Sequence, residues 1–496
     1  MQPVLPLTRE LALLDAAQTR ALEQHASTSL PPHALMRRAG ESVARLALAL
    51  APHAQRFWIA AGPGNNGGDG LEAAIHLLRW GKAVEVSLIG DAAGLPDDAA
   101  DAFARARAAG VRIVATPSPG ETPDFAIDAL LGVGASRAPV DVIAACIRAL
   151  NMLNSPLLAV DLPSGLHPTT GQPLGAGCVS ATHTLAMLAL KPGLFTGGGR
   201  DHAGVVWLDG LSVEPSTAVP HAWLSGATLS TPRRHAQHKG SFGDVAVVGG
   251  AAGMGGAALL AARSAHAAGA GRVYVDLLDR SSAVARVDTS RPELMFRDDW
   301  VHASAETLAH ATVVCGCGGG DAVRTPLPRL LSLARRLVLD ADALNALAED
   351  TALATLLRAR RPRGIATVLT PHPLEAARLL GCSTAEVQTD RLRAGQELAD
   401  RFACVVVLKG SGSVITAPGQ TPRINSTGNA ALATAGTGDV LAGWLGGRWA
   451  QCAAGDEAAM AFVVACRAVA EHGAAAEPQP SGALRAGDLI ERLYTL

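Results

Sequence analysis

The chain has 496 residues, with 42 Lys and Arg against 44 Asp and Glu, a formal net charge of -2. Near neutrality gives no electrostatic ground for nucleic acid or an anionic membrane as partner and points to a small solute. Hydrophobic residues at 49% and charged residues at 17% exclude a mainly disordered chain, and at roughly 100 to 200 residues per domain the length calls for two or three compact units. No uninterrupted apolar run approaches the roughly 18 residues of a spanning helix. The stretch from Met1 to Asp15 lacks a basic start followed by an apolar run, so a cytoplasmic protein is expected. The eight cysteines lack zinc or disulfide spacing and are expected to be packed free thiols.

Strand, glycine-rich turn and helix alternate along the chain, which predicts an α/β fold of parallel sheets covered by helices on both faces. Arg56 to Ala61 reads as a buried strand, Leu71 to Trp80 as a helix with Leu71, Ile75 and Leu78 on one face, and Val84 to Ile89 as the next strand. Further strands are expected at Phe125 to Leu131, Leu157 to Asp161, Thr182 to Leu188 and Val205 to Leu208. Leu211 to Arg234 holds Pro215, Pro220, Pro232 and the pair Arg233-Arg234, a connector composition that sets the boundary near residue 220. The second half restarts with a strand at Val245 to Val248, a helix over about Ala257 to Ala268 and a strand at Arg272 to Leu277. Strands then fit Ala311 to Val314, Arg336 to Leu339, Ala366 to Leu369 and Cys404 to Leu408, before a helix from Val440 to Trp449.

The densest signal of the first half is Gly62-Pro63-Gly64-Asn65-Asn66-Gly67-Gly68-Asp69-Gly70, between a strand and a helix. Its first six residues satisfy the dinucleotide fingerprint, with Asp91 at a plausible ribose distance. Asp69 argues against a pyrophosphate on the turn, because a carboxylate about 4 Å from a phosphate charge costs on the order of 1 to 4 kcal/mol. Two Asn, one Asp and exposed amides suit a cation beside a polar or phosphorylated ligand; the bland reading is a turn that needs glycine only for its backbone. Loops carrying Asp128 to Gly134, Asp161 to Gly165, and Lys191 with Gly193 also follow strands, and a doubly wound sheet gathers such loops along one edge.

With Leu35-Met36 and Ala39-Gly40, these motifs resemble the NAD(P)HX epimerase domain over about residues 8 to 212. The resemblance implies a Rossmann-like three-layer domain, placed at residues 1–220, that interconverts the (R) and (S) forms of reduced nicotinamide dinucleotide hydrated on its ring. It places the ligand on Asn65, Asn66, Gly67, Gly68 and Asp69 and on Gly132, Val133, Gly134, Ala135, Ser136 and Arg137. It gives K+ the oxygens of Asn66, Asp128 and Ser164, and makes Asp161 both a ligand contact and the acid/base residue.

The second half contains no Walker-type loop, since Gly81-Lys82 is followed by Ala83 and lies in the first half. Ala435-Gly436-Thr437-Gly438-Asp439 opens its last long predicted helix, where free amides can cradle a phosphoryl group beside Asp439 as a base. Lys409-Gly410-Ser411-Gly412-Ser413 follows one strand and Thr370-Pro371-His372-Pro373 another, with His372 expected in a projecting loop between prolines. Asp340 and Asp342 sit where Mg2+ or a ribose can be met.

These motifs, with Gly249-Gly250, Gly255-Gly256-Ala257 and Gly316-Cys317-Gly318, resemble the ADP/ATP-dependent NAD(P)H-hydrate dehydratase family, which has a ribokinase-like α/β fold. Cys317 and Leu374 depart from the family pattern, where proline and glycine are commoner. The resemblance assigns residues 221–496 to this domain, with Ala257, Gly318, His372 and Asp439 on the hydrate and Lys409, Gly410, Ser411, Gly412, Ser413 and Gly438 on ADP. It implies a bifunctional repair enzyme acting on NADHX and NADPHX, spending ADP with Mg2+ and forming a homo-oligomer. The alternatives are a sugar or vitamin-precursor kinase with a noncatalytic first half, and a first half that only binds or scaffolds.

Overall fold

The computed structural model describes residues 1–215, 218–226, 233–281, 286–453, 455–477 and 482–496. The chain forms two compact units, one of Met1–Pro6 with Leu11–Trp223 and one of Leu7–Glu10 with Leu224–Leu496.

In the first unit, short apolar runs bounded by glycine or acid become strands, in the spatial order Gln2–Pro3, Val205–Asp209, His183–Met187, Leu157–Val160, Phe125–Ala129, Arg56–Ala61, Ala83–Leu88 and Arg112–Val114. All pair in parallel except the antiparallel edge strand Gln2–Pro3. Strands alternate their side chains, so each feeds two cores. Phe57, Ile59 and Ala61 pack with helices Ala34–Leu50, Asn65–Arg79 and Asp97–Ala108, while Trp58 and Ala60 face the core that includes Ile147 and Leu150 of helix Asp141–Asn151. The result is three layers. The sheet order reverses between Arg56–Ala61 and Phe125–Ala129, which share the sheet centre.

The second unit repeats this plan with Met295–Phe296, Arg272–Leu277, Asp244–Gly249, Ala311–Cys315, Arg336–Leu339, Ala366–Leu369 and Val405–Leu408 in parallel, then antiparallel Val414–Thr416 and Arg423–Asn425. Its order reverses between Asp244–Gly249 and Ala311–Cys315. One face packs Val245, Val247, Val314 and Val338 against helices Gly255–Ala267, Thr437–Ala450 and Glu457–Ala474.

Two sequence expectations change. The first-unit helix begins at Asn65, six residues ahead of Leu71, and absorbs the glycine cluster. The stretch read as a connector contains the strand Ala222–Ser225, and Ser426 N–H donates to the Ser225 carbonyl at 2.8 Å. Pro232 lies outside the described residues.

Helix Thr437–Ala450 lies unusually close to Gly255–Ala267 because two glycines four apart face it: a Cβ on Gly443 would sit 2.0 Å from the Ala261 carbonyl oxygen, and one on Gly447 2.4 Å from that of Ala265. Gly443→Ala is therefore expected to destabilise by about 1–3 kcal/mol through overpacking, lowering the urea midpoint. Gly487→Ala, with no atom within 4 Å of its new Cβ, is the control and should not lower it.

Candidate active sites

The first site opens where the first sheet reverses, the place at which a doubly wound sheet parts its loops. A cavity of roughly 490 Å³ is lined there by Asn65, Asn66, Asp69, Gly132, Val133, Gly134, Ala135 and Asp161. Ser136 and Arg137 are exposed and do not line it. Gly67 and Gly68 are packing residues in the first helical turn, where added Cβ atoms would lie 1.9 Å from the Gly62 carbonyl oxygen and 2.6 Å from Met36 Cε. Their exchange of side chain for close approach brings the helix start to the sheet edge. No side chain caps that start, so its first amides are free for an anion.

Asp161 follows Leu157–Val160 in a left-handed conformation, φ 66°, which aims its backbone out of the strand. Its carboxylate accepts a hydrogen bond from the ammonium of Lys191 and one from Met187 N–H at 3.2 Å. Lys191 is fully buried and also donates to the Met187 carbonyl at 2.9 Å. The sequence pattern puts Lys191 at this edge, but its partner Asp161 is visible only in the fold. Glu23 and Arg20 from helix Ala16–Ser27 also line the cavity; the signal for that helix was Asp15 with Gln18, which form a capping box. Burial, then the neighbouring Asp161 charge, raises the pKa of both Asp69 and Glu23 from the ordinary carboxyl value.

Beneath the cavity, Asp128 is fully buried. Ser164 donates to it through N–H at 2.8 Å and Oγ–H at 2.6 Å, and Leu130 N–H donates at 3.2 Å. Burial nevertheless pushes its pKa up to about 6, and among the described residues no cationic side chain pairs with it. The buried Asn66 side-chain amide nitrogen has no partner. A buried carboxylate with no cationic partner, beside the Ser164 hydroxyl, offers the oxygen donors that suit a hard cation.

The second site lies along the same edge of the second sheet. Gly436, φ 90°, turns the chain into helix Thr437–Ala450, whose start again lacks a side-chain cap. Buried within the domain, His472 donates Nε2–H to the Thr437 carbonyl at 2.9 Å and is held neutral, its pKa lowered to about 4 chiefly by burial. Asp439 sits in the first turn, and burial with the Asp340 charge lifts its pKa to about 6 against the opposing effects of Cys317 and Lys409. The Cys317 sulfur and one carboxylate oxygen each from Asp340 and Asp439 lie within 4.8 Å of one another.

Lys409 does not reach out toward open solvent: its Nζ donates to Asp340 at 2.7 Å and lies 3.2 Å from where a Cβ on Gly438 would be. Thr370 also donates to Asp340, at 2.8 Å. The lysine charge is thus stored beside the helix start. Asp342 instead accepts from Gly320 N–H at 2.8 Å. Ala257 and Gly318 adjoin across the switch point, since a Cβ on Gly318 would lie 2.9 Å from that of Ala257. His372 is extended and exposed, as expected of a projecting residue, and has a further task. It caps helix Pro373–Leu380, its Nδ1 accepting from Leu374 and Glu375 N–H at 3.1 and 3.2 Å, because an N-cap acceptor was needed there. Glu375, buried beside it, has its pKa raised to about 7 by burial. Gly410 approaches buried Arg391, which donates to the Leu408 and Lys409 carbonyls and shapes the Lys409–Ser413 loop.

Residues 245–493 match the family model described as NAD(P)H-hydrate dehydratase, and residues 32–193 match that of the YjeF-related protein N-terminus. The chain is 38% identical over 467 residues to the bifunctional NAD(P)H-hydrate repair enzyme Nnr of Escherichia coli (strain K12), covering 89% of this chain and 84% of the relative. It is 37% identical over 501 residues to the enzyme of the same description from Coxiella burnetii, covering 97% and 98%. A solved ADP/ATP-dependent NAD(P)H-hydrate dehydratase from Bacillus subtilis, co-crystallised with ATP and Mg2+, is 27% identical with a TM-score of 0.41, covering 53% of this chain and 91% of that one. With both models matched in tandem and relatives aligned over most of their length, the chain belongs to the family of bifunctional NAD(P)H-hydrate repair enzymes, an epimerase domain followed by a dehydratase domain.

Proposed function

We propose that the second site dehydrates (S)-NADHX and (S)-NADPHX at the expense of ADP, giving AMP, phosphate and the reduced dinucleotide, and that the first site supplies the (S) form from the (R) form. The observation that carries this reading is Asp439 in the first turn of an uncapped helix, beside the Lys409–Asp340 pair. Hydroxide is a poor leaving group. Asp439 removes the proton of the ring hydroxyl, which attacks the terminal phosphorus of ADP and displaces AMP; phosphate then leaves with the carbon–oxygen electron pair as the ring nitrogen lone pair pushes in, and loss of a proton from the neighbouring carbon restores the ring double bond. The amides of Gly438 and its neighbours meet the charge of the migrating group. Ala257, Gly318 and His372 hold the hydrate, and Lys409 to Ser413 the nucleotide. Mg2+, as in the Bacillus subtilis relative's crystals, would neutralise phosphate charge, with Asp340 to hold it. In the first site K+ would be held by Asn66, Asp128 and Ser164 and would balance phosphate and carboxylate charge. Residues 1–220 and 221–496 are the two catalytic domains in this reading. No described helix is long and apolar enough to cross a membrane, and action in the cytoplasm, where nicotinamide dinucleotides are abundant, fits the substrates. A kinase with an inert first half is not favoured, because both family models match.

Asp439→Asn is expected to lower the dehydration rate by on the order of 10² to 10⁴ while epimerisation persists, read by phosphate release and by the two epimers on chromatography. Accumulation of a stable phosphorylated hydrate in the parent enzyme would instead indicate a kinase. Because a base must be ionised and the Asp439 pKa is raised to about 6, kcat/KM for dehydration should fall as pH drops through about 6 and level off above it. Asp161→Ala should abolish (R) to (S) conversion and leave turnover of pure (S) hydrate intact. Exchanging K+ for a bulky organic cation in the buffer should weaken epimerisation but not dehydration; equal loss of both would place the cation elsewhere.

A further inference from the structure

The epimerase reading names one acid/base group, yet inverting the hydrated carbon needs a proton delivered on one face and removed on the other. The double bond of a dihydronicotinamide next to its ring nitrogen is an enamine, so added water leaves its hydroxyl on the carbon bonded to nitrogen. We propose that Asp69 is the second catalytic residue of the first site, protonating the departing hydroxyl from one face of the ring while Asp161 takes a proton from the water that attacks the other. This inference rests on the epimerase reading and adds a residue to it.

The topology supplies the two faces. Asp69 stands on helix Asn65–Arg79, directly after strand Arg56–Ala61, and Asp161 follows Leu157–Val160. Strand Phe125–Ala129 lies between those two in the sheet. Two strand spacings of about 4.8 Å set the strands that lead to these residues about 10 Å apart, and both side chains line the same cavity of roughly 490 Å³. That is room for a ring between them, the arrangement used wherever two carboxyl groups work on opposite faces of a sugar.

The charges around them divide the roles. Asp161 is paired with the buried ammonium of Lys191 and suits the carboxylate that accepts a proton. Among the described residues no cationic side chain forms an ion pair with Asp69; it faces Asp161, Glu23 and Asp98, with Glu72 on its own helix paired to Arg105 and His76 and with Arg20 also lining the cavity. Burial and those acids favour its protonated form.

The step balances. The carbon–oxygen bond breaks with its electrons going to oxygen, Asp69 gives its proton, and water leaves as the nitrogen lone pair forms a carbon–nitrogen double bond. Water then adds from the opposite face, the electrons return to nitrogen, and Asp161 takes the surplus proton. The reverse conversion uses the same two groups with roles exchanged.

The test measures conversion of (R)-NADHX by the full chain carrying Asp69→Asn, Asp69→Glu or Asp161→Ala, with an unchanged thermal unfolding profile as the check that the first unit of each variant is folded and dehydration of (S)-NADHX as the check on the second. Asp69→Asn should lower kcat by on the order of 10² or more with KM little changed, and Asp69→Glu should restore part of it. In the parent enzyme kcat/KM should fall on the alkaline side as Asp69 loses its proton, and that limb should vanish in Asp69→Asn. In water enriched in heavy oxygen, each inversion should carry solvent oxygen into the product. Full kcat in Asp69→Asn with Asp161→Ala inactive, or inversion without oxygen exchange, overturns the assignment of Asp69 and leaves the epimerase reading standing. A parent enzyme that does not interconvert the epimers overturns that reading itself.

Discussion

Both sites depend on one constraint: a right-handed crossover can run from a central strand to either side, and where consecutive strands go opposite ways their loops must part. In the first unit the parting lies between Arg56–Ala61 and Phe125–Ala129, and in the second between Asp244–Gly249 and Ala311–Cys315. The sheets also bury both faces of every central strand, so the carboxyl edge is where polar side chains can gather without being lost in a core. Helix starts then arrive at that edge with unmet N–H groups.

What distinguishes the two crevices is how their acids are kept. Asp128 and Asp439 are both pushed up to about 6 by burial, but their surroundings differ. Asp128 sits under its pocket, surrounded by neutral donors, and calls for a cation. Asp439 sits at a helix start near a stored lysine and is poised to exchange a proton near neutral pH. The same burial that costs stability at these positions makes the groups reactive, and each unit offsets that cost with a core of tightly packed aliphatic side chains.

Much of this was legible in the residues. Arg56–Ala61, Arg272–Leu277, Arg336–Leu339 and Ala366–Leu369 lie where the apolar runs end in polar or glycine punctuation. The helix at Asn65 was read six residues late because glycine costs about 1 kcal/mol in a helix; packing of Gly67 against the Gly62 carbonyl overrides that preference, and no local rule reports it. Lys191 was hidden for the same reason, as its partner Asp161 is thirty positions away and only the fold brings them together. His372 was seen as a residue at the edge, but its second task, capping the helix that follows, was missed although Pro373 and Glu375 carry that signature.

In this reading the two crevices act in series on one metabolite. The most direct measurement supplies the intact chain with pure (R)-NADHX and ADP and counts reduced dinucleotide, AMP and phosphate together. Complete recovery of NADH is expected, with one AMP and one phosphate for each. NADH formed without nucleotide consumption, or (R) hydrate left untouched while (S) hydrate is turned over, would contradict it.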